Sequence, residues 1–173
     1  MRTITVALGE KTYNIEIAAG LLDQIGAKAR VLSQAVKAAI ISDSNVDPLY
    51  GERLERSLAA SGFEVTRIVF AAGEQSKNLT VLGQVYDELA RAGLTRSDLI
   101  LTLGGGVPGD LGGFAAATFL RGIDFIQVPT SLLAQIDSSV GGKVAIDLPS
   151  GKNLAGSFYQ PKAVFIDPED RKS

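Results

Sequence analysis

A glycine-rich turn between an apolar strand and an alanine-rich helix is the feature that most constrains how this chain can fold. Residues 99–103 are a short apolar run, the sequence Gly-Gly-Gly-Val-Pro-Gly-Asp occupies residues 104–110, and residues 111–120 are apolar and rich in alanine. A strand, a glycine turn and a helix in this order direct free backbone N–H groups and the positive end of a helix dipole to one point, which suits a pyrophosphate. The structural alternative is a tight turn that needs positive φ angles.

The order of predicted elements indicates an α/β fold. We expect a β-hairpin from residues 3–8 and 12–17, further strands at 37–42, 63–70, 99–103, 125–128 and 163–166, and helices at 21–35, 48–62, 78–92 and 111–120. Short, continuous apolar strands that alternate with helices predict a Rossmann-like, mostly parallel sheet with helices on both faces, preceded here by an N-terminal β-hairpin. Because ligands bind beyond the carboxyl ends of such strands, Asp43, Gly104 and Thr130 should lie along one edge.

The composition excludes several kinds of site. The 173 residues contain no cysteine and no histidine, so disulfides, thiolate metal sites and a histidine general base are excluded, and a metal site would need carboxylates alone. A net charge of −2 without a Lys/Arg run argues against a nucleic-acid partner, and no apolar run reaches membrane-spanning length. We therefore expect one domain of a cytoplasmic protein, with no membrane contact.

Two polar segments that follow predicted strands have two interpretations each. Asp43 and Asn45 come after the first parallel strand, where a carboxylate often binds a ribose hydroxyl; a helix N-cap or an Asx-turn explains them equally well. Glu74 and Lys77 precede the clearest helix. They either contact a nucleotide or remain solvated while Ser76 caps the helix.

Three cations lie beside glycines, in Arg121-Gly122, Gly142-Lys143 and Gly151-Lys152-Asn153. Neighbouring glycines let an anion approach the backbone, and each charge-assisted hydrogen bond contributes about 1.5–3 kcal/mol. Together the three cations would hold a dianion; the alternative is three unrelated surface cations. Asp137 lies on a predicted helical segment and is expected either to accept a hydrogen bond from a hydroxyl or to cap a turn.

Taken together, these motifs resemble the 3-dehydroquinate synthase family over nearly the whole chain. The most specific stretches are GGGVPGDLGGFAAATFLRG from residue 104, QVPTSLLAQIDSSVGGK from residue 127 and GKNLAGSFYQP from residue 151. The resemblance implies a two-domain, homodimeric enzyme that uses NAD and a divalent metal, zinc or cobalt. It would convert 3-deoxy-D-arabino-heptulosonate 7-phosphate, a phosphorylated sugar acid, to 3-dehydroquinate and phosphate. The steps are transient oxidation, phosphate elimination, reduction and aldol closure.

The resemblance also implies what residues 1–173 contribute. They match the N-terminal nucleotide-binding domain, while the metal ligands, a glutamate and two histidines, belong to a C-terminal domain outside this chain. We therefore expect a fragment that folds but does not turn over, with no metal site of its own.

The resemblance assigns roles to individual residues. The contacts implied for NAD are Asp43, Asn45, Glu74, Lys77, Gly105, Gly106, Val107, Gly109, Asp110, Thr130, Ser131, Lys143 and Lys152. The catalytic and substrate-binding positions are Arg121, Asp137, Lys143, Lys152 and Asn153, and the arginine reaches the site of a neighbouring subunit.

This sequence departs from the family pattern in several places. Pro108 stands where the family has Ile or Val, Val144 replaces a usual Thr, Asp147 a usual Asn and Ser131 a usual Thr. Pro108 should alter the stiffness of the cofactor turn. The alternatives are a related cyclase that acts on sedoheptulose 7-phosphate, and a nucleotide-binding module without catalysis.

Overall fold

The structure is a computed structural model that describes residues 1–170, and its main element is a seven-stranded sheet. The nine strands of the described residues are β1 Arg2–Val6, β2 Tyr13–Ile17, β3 Lys37–Asp43, β4 Glu64–Phe70, β5 Leu99–Gly104, β6 Asp124–Pro129, β7 Lys143–Leu148, β8 Gly151–Phe158 and β9 Ala163–Ile166. The main sheet has the order β1-β2-β9-β6-β5-β3-β4. Within this sheet only β1 and β2 pair antiparallel, so the predicted N-terminal hairpin and the mostly parallel sheet are both confirmed.

Helices cover both faces of this sheet. The four α-helices of the described residues are α1 Ile25–Leu32, α2 Glu52–Ala60, α3 Leu79–Arg91 and α4 Gly106–Thr118. Alternate residues of each strand point to opposite faces. One set of side chains packs with α1 and α2, and the other set packs with α3 and α4. The sheet therefore has one apolar core on each face.

Helix α4 packs unusually close to its neighbours because two of its four glycines, Gly112 and Gly113, face them. A Cβ on Gly112 would lie 2.6 Å from Thr102 Cγ2, and a Cβ on Gly113 would lie 2.4 Å from Val144 Cγ1. Both distances are shorter than carbon atoms tolerate. The two glycines therefore allow α4 to approach strand β5 on one side and strand β7 on the other.

Strands β7 and β8 form a two-stranded antiparallel ribbon, which is not among the elements predicted from the sequence. The buried side chains Val144 and Ile146 pack in the same core as α4, which fixes the ribbon against that helix. Val144 and Ile146 alternate with Lys143 and Ala145, and Pro149-Ser150-Gly151 follows them. Period-two alternation before a Pro/Gly turn is the usual signature of a hairpin, so the signal was present.

Helix boundaries differ from the predictions in three places. The helix expected over residues 21–35 is a 3-10 turn, Leu21–Gln24, followed by α1, and the helix expected to begin near Pro48 opens with a π-helical turn, Asp47–Gly51. Helix α4 begins at Gly106 instead of residue 111, so it contains most of the predicted cofactor turn.

Within residues 1–170, no helix has both the length and the apolar character that a membrane crossing requires.

Candidate functional site

The carboxyl ends of β3, β5 and β6 form one edge of the sheet, as predicted. Ser42 pairs with Leu103, and Gly104 pairs with Pro129, so Asp43, Gly104 and Thr130 follow one another along this edge. The Thr130 N–H donates to the Gly104 carbonyl at 2.9 Å. Strand β4 lies on one side of β3 and β5 on the other, so the direction of winding reverses between β3 and β5. Ligands of open α/β sheets bind at such a reversal.

The glycine turn leads directly into the first turn of α4. Gly104 has φ +150°, and the N-cap residue Gly105 offers no side-chain cap, so the first N–H groups of α4 are not satisfied by a cap. Cβ atoms added to Gly105 and Gly106 would find their nearest neighbours 3.4 and 3.8 Å away, the Oγ atoms of Ser131 and Ser138 respectively. The N-terminus of this 13-residue helix is thus open to a ligand, which is the arrangement that a diphosphate requires.

Pro108 is the third residue of α4 and is buried. The N–H groups of a first helical turn have no intrahelical partner, so proline is tolerated there without the loss of a hydrogen bond. A Cβ on Gly104 would lie 2.6 Å from Pro108 Cγ. The proline ring therefore packs against the turn and supports it, while it removes one of the N–H groups that an anion could use.

Lys77 is the centre of the polar network at this edge. Its Nζ lies 2.6 Å from Asp110 Oδ2, 2.6 Å from Asn153 Oδ1 and 4.0 Å from Glu74 Oε1. The lysine side chain is only 5% exposed. The interpretation of Lys77 as a solvated side chain is therefore wrong, because the ammonium joins α4 to the ribbon.

The carboxyl group of Asp110 has an unusual environment. Burial raises its pKa above the ordinary value, although the hydrogen bond and the charge of Lys77 act in the opposite direction. Asp110 and Asn153 also line a cavity of about 550 Å³ together with the predicted site residues Asp137 and Lys143. Perturbed carboxyl groups at the wall of a cavity are typical of functional sites.

A second pair of acids adjoins Lys77. Interaction with the Asp147 side chain is the main cause that raises the pKa of Glu74. The pKa of Asp147 is lowered, chiefly because its carboxylate accepts the Asn153 N–H at 2.9 Å. Asp147 is not among the site residues predicted from the sequence, where it stands out only as a departure from the family pattern.

Two other predicted pairs have local partners. Asp43 Oδ1 accepts the N–H groups of Asn45 and Val46, both at 2.9 Å, so the turn-capping interpretation is confirmed for this oxygen. Thr130 is buried at the end of β6, and Ser131 Oγ accepts the Ala134 N–H at 3.2 Å. The cap of α3 is Asn78, whose side chain accepts the Val81 N–H, and not Ser76.

The three cations predicted to act together do not converge in this chain. Lys143 begins β7 and lines the 550 Å³ cavity, whereas Lys152 lies at the opposite end of the ribbon, beside Glu74 and Asp147. Arg121 is exposed and follows the C-terminus of α4, one helix length of roughly 18 Å from the glycine turn. Leu120 and Arg121 both have positive φ, 53° and 66°, so the backbone turns sharply there.

The described residues offer no metal centre. Within residues 1–170, no group of three or more carboxylates is arranged to hold a metal ion, and the sequence contains neither histidine nor cysteine. The residues present therefore do not fit a zinc or cobalt ion.

Comparisons with known proteins agree with the fold. The family profile described as "3-dehydroquinate synthase N-terminal" matches residues 67–172. The 3-dehydroquinate synthase of Clostridium acetobutylicum is 57% identical over 168 residues, which are 97% of this chain and 47% of that protein. The chain thus spans about half the length of the curated relatives it matches.

Two solved structures extend the comparison. A 2-deoxy-scyllo-inosose synthase complexed with carbaglucose-6-phosphate, NAD⁺ and Co²⁺ superimposes with a TM-score of 0.91 at 29% identity, over 98% of this chain and 47% of that one. The 2-epi-5-epi-valiolone synthase of Streptomyces hygroscopicus, with NAD⁺ and Zn²⁺ bound, gives a TM-score of 0.81 at 30% identity, over 95% and 45% of the respective chains. Structural relatives of this chain therefore bind NAD⁺ and a divalent metal.

Proposed function

This chain belongs to the 3-dehydroquinate synthase family, and from that premise we propose that residues 1–173 are the nucleotide-binding domain of a 3-dehydroquinate synthase. The whole enzyme would convert 3-deoxy-D-arabino-heptulosonate 7-phosphate to 3-dehydroquinate and phosphate. One observation carries the proposal: the uncapped, glycine-lined start of α4 lies beside the Lys77–Asp110–Asn153 network at the reversal point of the sheet.

The residues at this edge fit NAD. The N–H groups of Gly106 and Val107, at the start of α4, would hold the diphosphate, because Gly105 and Gly106 leave open space around the backbone. Asp110 would bind a ribose hydroxyl on the nicotinamide side. When bound, NAD would supply the acceptor for a hydride from the substrate and return it later.

The cavity of about 550 Å³ would hold the phosphorylated sugar acid. Lys143 would bind its anionic groups, Asp137 would accept a hydrogen bond from a ring hydroxyl, and Asn153 would orient the substrate from the ribbon. In this proposal the protein mainly positions the substrate and stabilises charge. Lys152, at the far end of the ribbon, would reach the cofactor or the substrate from the side of Glu74.

Arg121 has a different role in this proposal. It is exposed at the opposite end of α4 from the glycine turn, so it does not serve the site of its own chain. The resemblance assigns it to the site of a neighbouring subunit, and the homodimer is therefore part of the proposal. A cytoplasmic location, without nucleic-acid or membrane partners, is also part of it.

We assign no step to a metal, because the residues described here do not fit one. The solved relatives are named with Co²⁺ and with Zn²⁺. We infer that zinc or cobalt would be held by a second domain outside this chain. Without that domain, the 173-residue chain should release no phosphate from the substrate.

Two alternatives are less well supported. A cyclase for another sugar phosphate would be expected to match its own relatives best, whereas the chain is 57% identical to a 3-dehydroquinate synthase and 29% identical to 2-deoxy-scyllo-inosose synthase. A non-catalytic nucleotide-binding module would not need Asp137 and Lys143 to share a cavity with Asp110.

Calorimetric titration of NAD⁺ into the chain and into three glycine variants tests the proposal. An alanine Cβ at Gly105 or Gly106 makes no close contact within the protein, so Gly105→Ala and Gly106→Ala should fold normally. Both should weaken NAD⁺ binding by tenfold or so, since each methyl group occupies the space that the diphosphate needs. Gly83→Ala, on α3 with no atom within 4 Å, is the matched control. Unchanged affinity in both site variants would reject the proposed position.

A further inference from the structure

Two consecutive glycines lead into Lys143, a cation that lines the cavity of about 550 Å³. Gly141 and Gly142 have φ values of +97° and +66°, a region that glycine adopts freely, and such a pair is flexible unless other groups hold it. The Lys143 ammonium makes no ion pair or hydrogen bond with the residues that the structure describes. Val144, which follows, is fixed in the apolar core. The position of Lys143 therefore depends on what holds the two glycines.

The glutamine that lies beyond the end of β8 packs against this glycine pair. Gln160 Nε2 donates to the Gly141 carbonyl at 3.3 Å. The Gln160 amide also occupies the place that a side chain at position 142 would need, because a Cβ on Gly142 would lie 2.5 Å from Nε2 and 2.6 Å from Cδ. The neighbouring Tyr159 N–H donates to the Gly142 carbonyl at 2.8 Å. Tyr159 and Gln160 thus hold both glycines, one through its backbone and the other through its side chain.

The other end of the Gln160 amide contributes nothing to the stability of the fold. Gln160 Oε1 is buried and has no hydrogen-bond partner among the described residues. A buried acceptor without a donor costs folding free energy. A hydrocarbon side chain of similar length would avoid that cost but could not donate to the Gly141 carbonyl. We therefore expect the glutamine to fix the geometry of the turn more than it stabilises the protein.

We propose that Gln160 is a positioning residue for Lys143: its amide fixes the Gly141–Gly142 turn, and the turn sets where the lysine side chain enters the cavity. Lys143 pairs with Phe158 in the ribbon, so Gln160 lies two residues beyond the position opposite the lysine. Gln160 is not among the residues that line this cavity, so it acts through Lys143 and does not touch the substrate. The inference rests on the proposed function, which places Lys143 at the anionic groups of the substrate.

Backbone ¹⁵N relaxation of the chain without ligand tests whether Gln160 fixes the turn. The amide order parameters of Gly142 and Lys143 should be about 0.85 in the wild type, as in rigid backbone, and should fall towards about 0.6 in Gln160→Ala. Gln160→Met keeps a side chain of this length against Gly142 but cannot donate, so it should give intermediate values. Gln24→Ala is the matched control, because exposed Gln24 donates from Nε2 to the Gly20 carbonyl at 3.5 Å, and it should leave both order parameters unchanged.

Binding of the substrate supplies a readout that a purely structural role would not change. With NAD⁺ present, Gln160→Ala should weaken binding of 3-deoxy-D-arabino-heptulosonate 7-phosphate by about tenfold in an otherwise wild-type chain. In a Lys143→Met chain the same change should have no further effect, because the side chain that Gln160 positions is absent. The two backgrounds therefore separate an effect through Lys143 from a general loosening of the ribbon.

Two results would overturn the inference. One is wild-type order parameters at Gly142 and Lys143 in Gln160→Ala, and the other is a loss of substrate affinity of the same size with and without the lysine. If Gln160→Ala does not fold, Gln160→Met takes its place in both tests. A wild-type chain that binds no substrate would instead reject the proposed substrate site, and the ligand-free order parameters would then decide the inference alone.

Discussion

The Lys77 ammonium and the Asp110 carboxylate form an ion pair of 2.6 Å, and their side chains are 5% and 20% exposed. Two charges so far removed from water interact strongly, and removal of one leaves the other poorly solvated. Lys77→Met and Asp110→Asn should therefore each destabilise the chain. The double variant should lose less than the sum of the two, with a coupling energy of about 1–3 kcal/mol.

Urea unfolding of the wild type and these three variants measures the coupling. Val85 lies in the apolar core and takes no part in the ion pair. The double variant Lys77→Met/Val85→Ala is therefore the control, and its loss of stability should equal the sum of the two single losses. Additive losses for Lys77 and Asp110 would show that the pair does not join α4 to its neighbours.

Gly113 should be intolerant of any side chain, because the ribbon packs directly on α4. The added Cβ of Gly113→Ala would lie 2.4 Å from Val144 Cγ1. Overpacking of this kind destabilises proteins by about 1–3 kcal/mol. Thermal or chemical unfolding should show this loss, and Val144→Ala in the same chain should recover part of it. If the double variant lost as much unfolding free energy as Gly113→Ala and Val144→Ala lose separately, this packing account would be wrong.

Asp98 should give the chain a measurable acid sensitivity. Burial alone would raise the pKa of its carboxyl group. The pKa is nevertheless lowered, because the carboxylate accepts hydrogen bonds from the N–H groups of Lys37 and Thr95 and from the Thr95 hydroxyl. A lowered pKa in the folded state stabilises the fold above the ordinary value of 3.8, and this stabilisation is lost as the pH falls through the lowered value.

Unfolding free energies measured at several acidic pH values test this behaviour. Wild-type stability should rise with pH across that range more steeply than the stability of Asp98→Asn, which cannot ionise. Asp87→Asn, an exposed change on α3, is the control and should keep the wild-type slope. Equal slopes for the wild type and Asp98→Asn would contradict the hydrogen-bonding account.

Arg121 should be dispensable for the fold and for cofactor binding within one chain. It is exposed beyond the C-terminus of α4. Arg121→Ala should change the unfolding free energy by no more than about 0.5 kcal/mol and leave the calorimetric affinity for NAD⁺ unaltered. A clear loss of NAD⁺ affinity would place this arginine in the site of its own chain and contradict its proposed role in a neighbouring one.

The architecture was largely predictable because its signals are local. Continuous apolar runs marked the parallel strands, and the glycines after residue 103 marked the edge where the site lies. The start of α4 was placed too late, since Gly106 and Pro108 are poor residues for a helix interior and only their first-turn position makes them acceptable. The missed ribbon did have a local signal, in the alternation before Pro149.

The polar network was less predictable because it depends on contacts between distant segments. Lys77 and Asn153 are 76 positions apart in the sequence, and no local pattern shows that their side chains meet. The sequence suggested instead that Arg121, Lys143 and Lys152 act together, since each adjoins a glycine. In the structure, Arg121 follows the C-terminus of α4, and Lys143 and Lys152 lie at opposite ends of the ribbon. A glycine beside each cation therefore did not indicate that the three side chains lie together.

A crystal structure of this chain with NAD⁺ at saturating concentration tests the central claim most directly. The account predicts diphosphate oxygens at about 3 Å from the N–H groups of Gly106 and Val107, with Asp110 and Lys77 beside the nicotinamide ribose. A dinucleotide bound elsewhere on the sheet, with the start of α4 left to solvent, would contradict it.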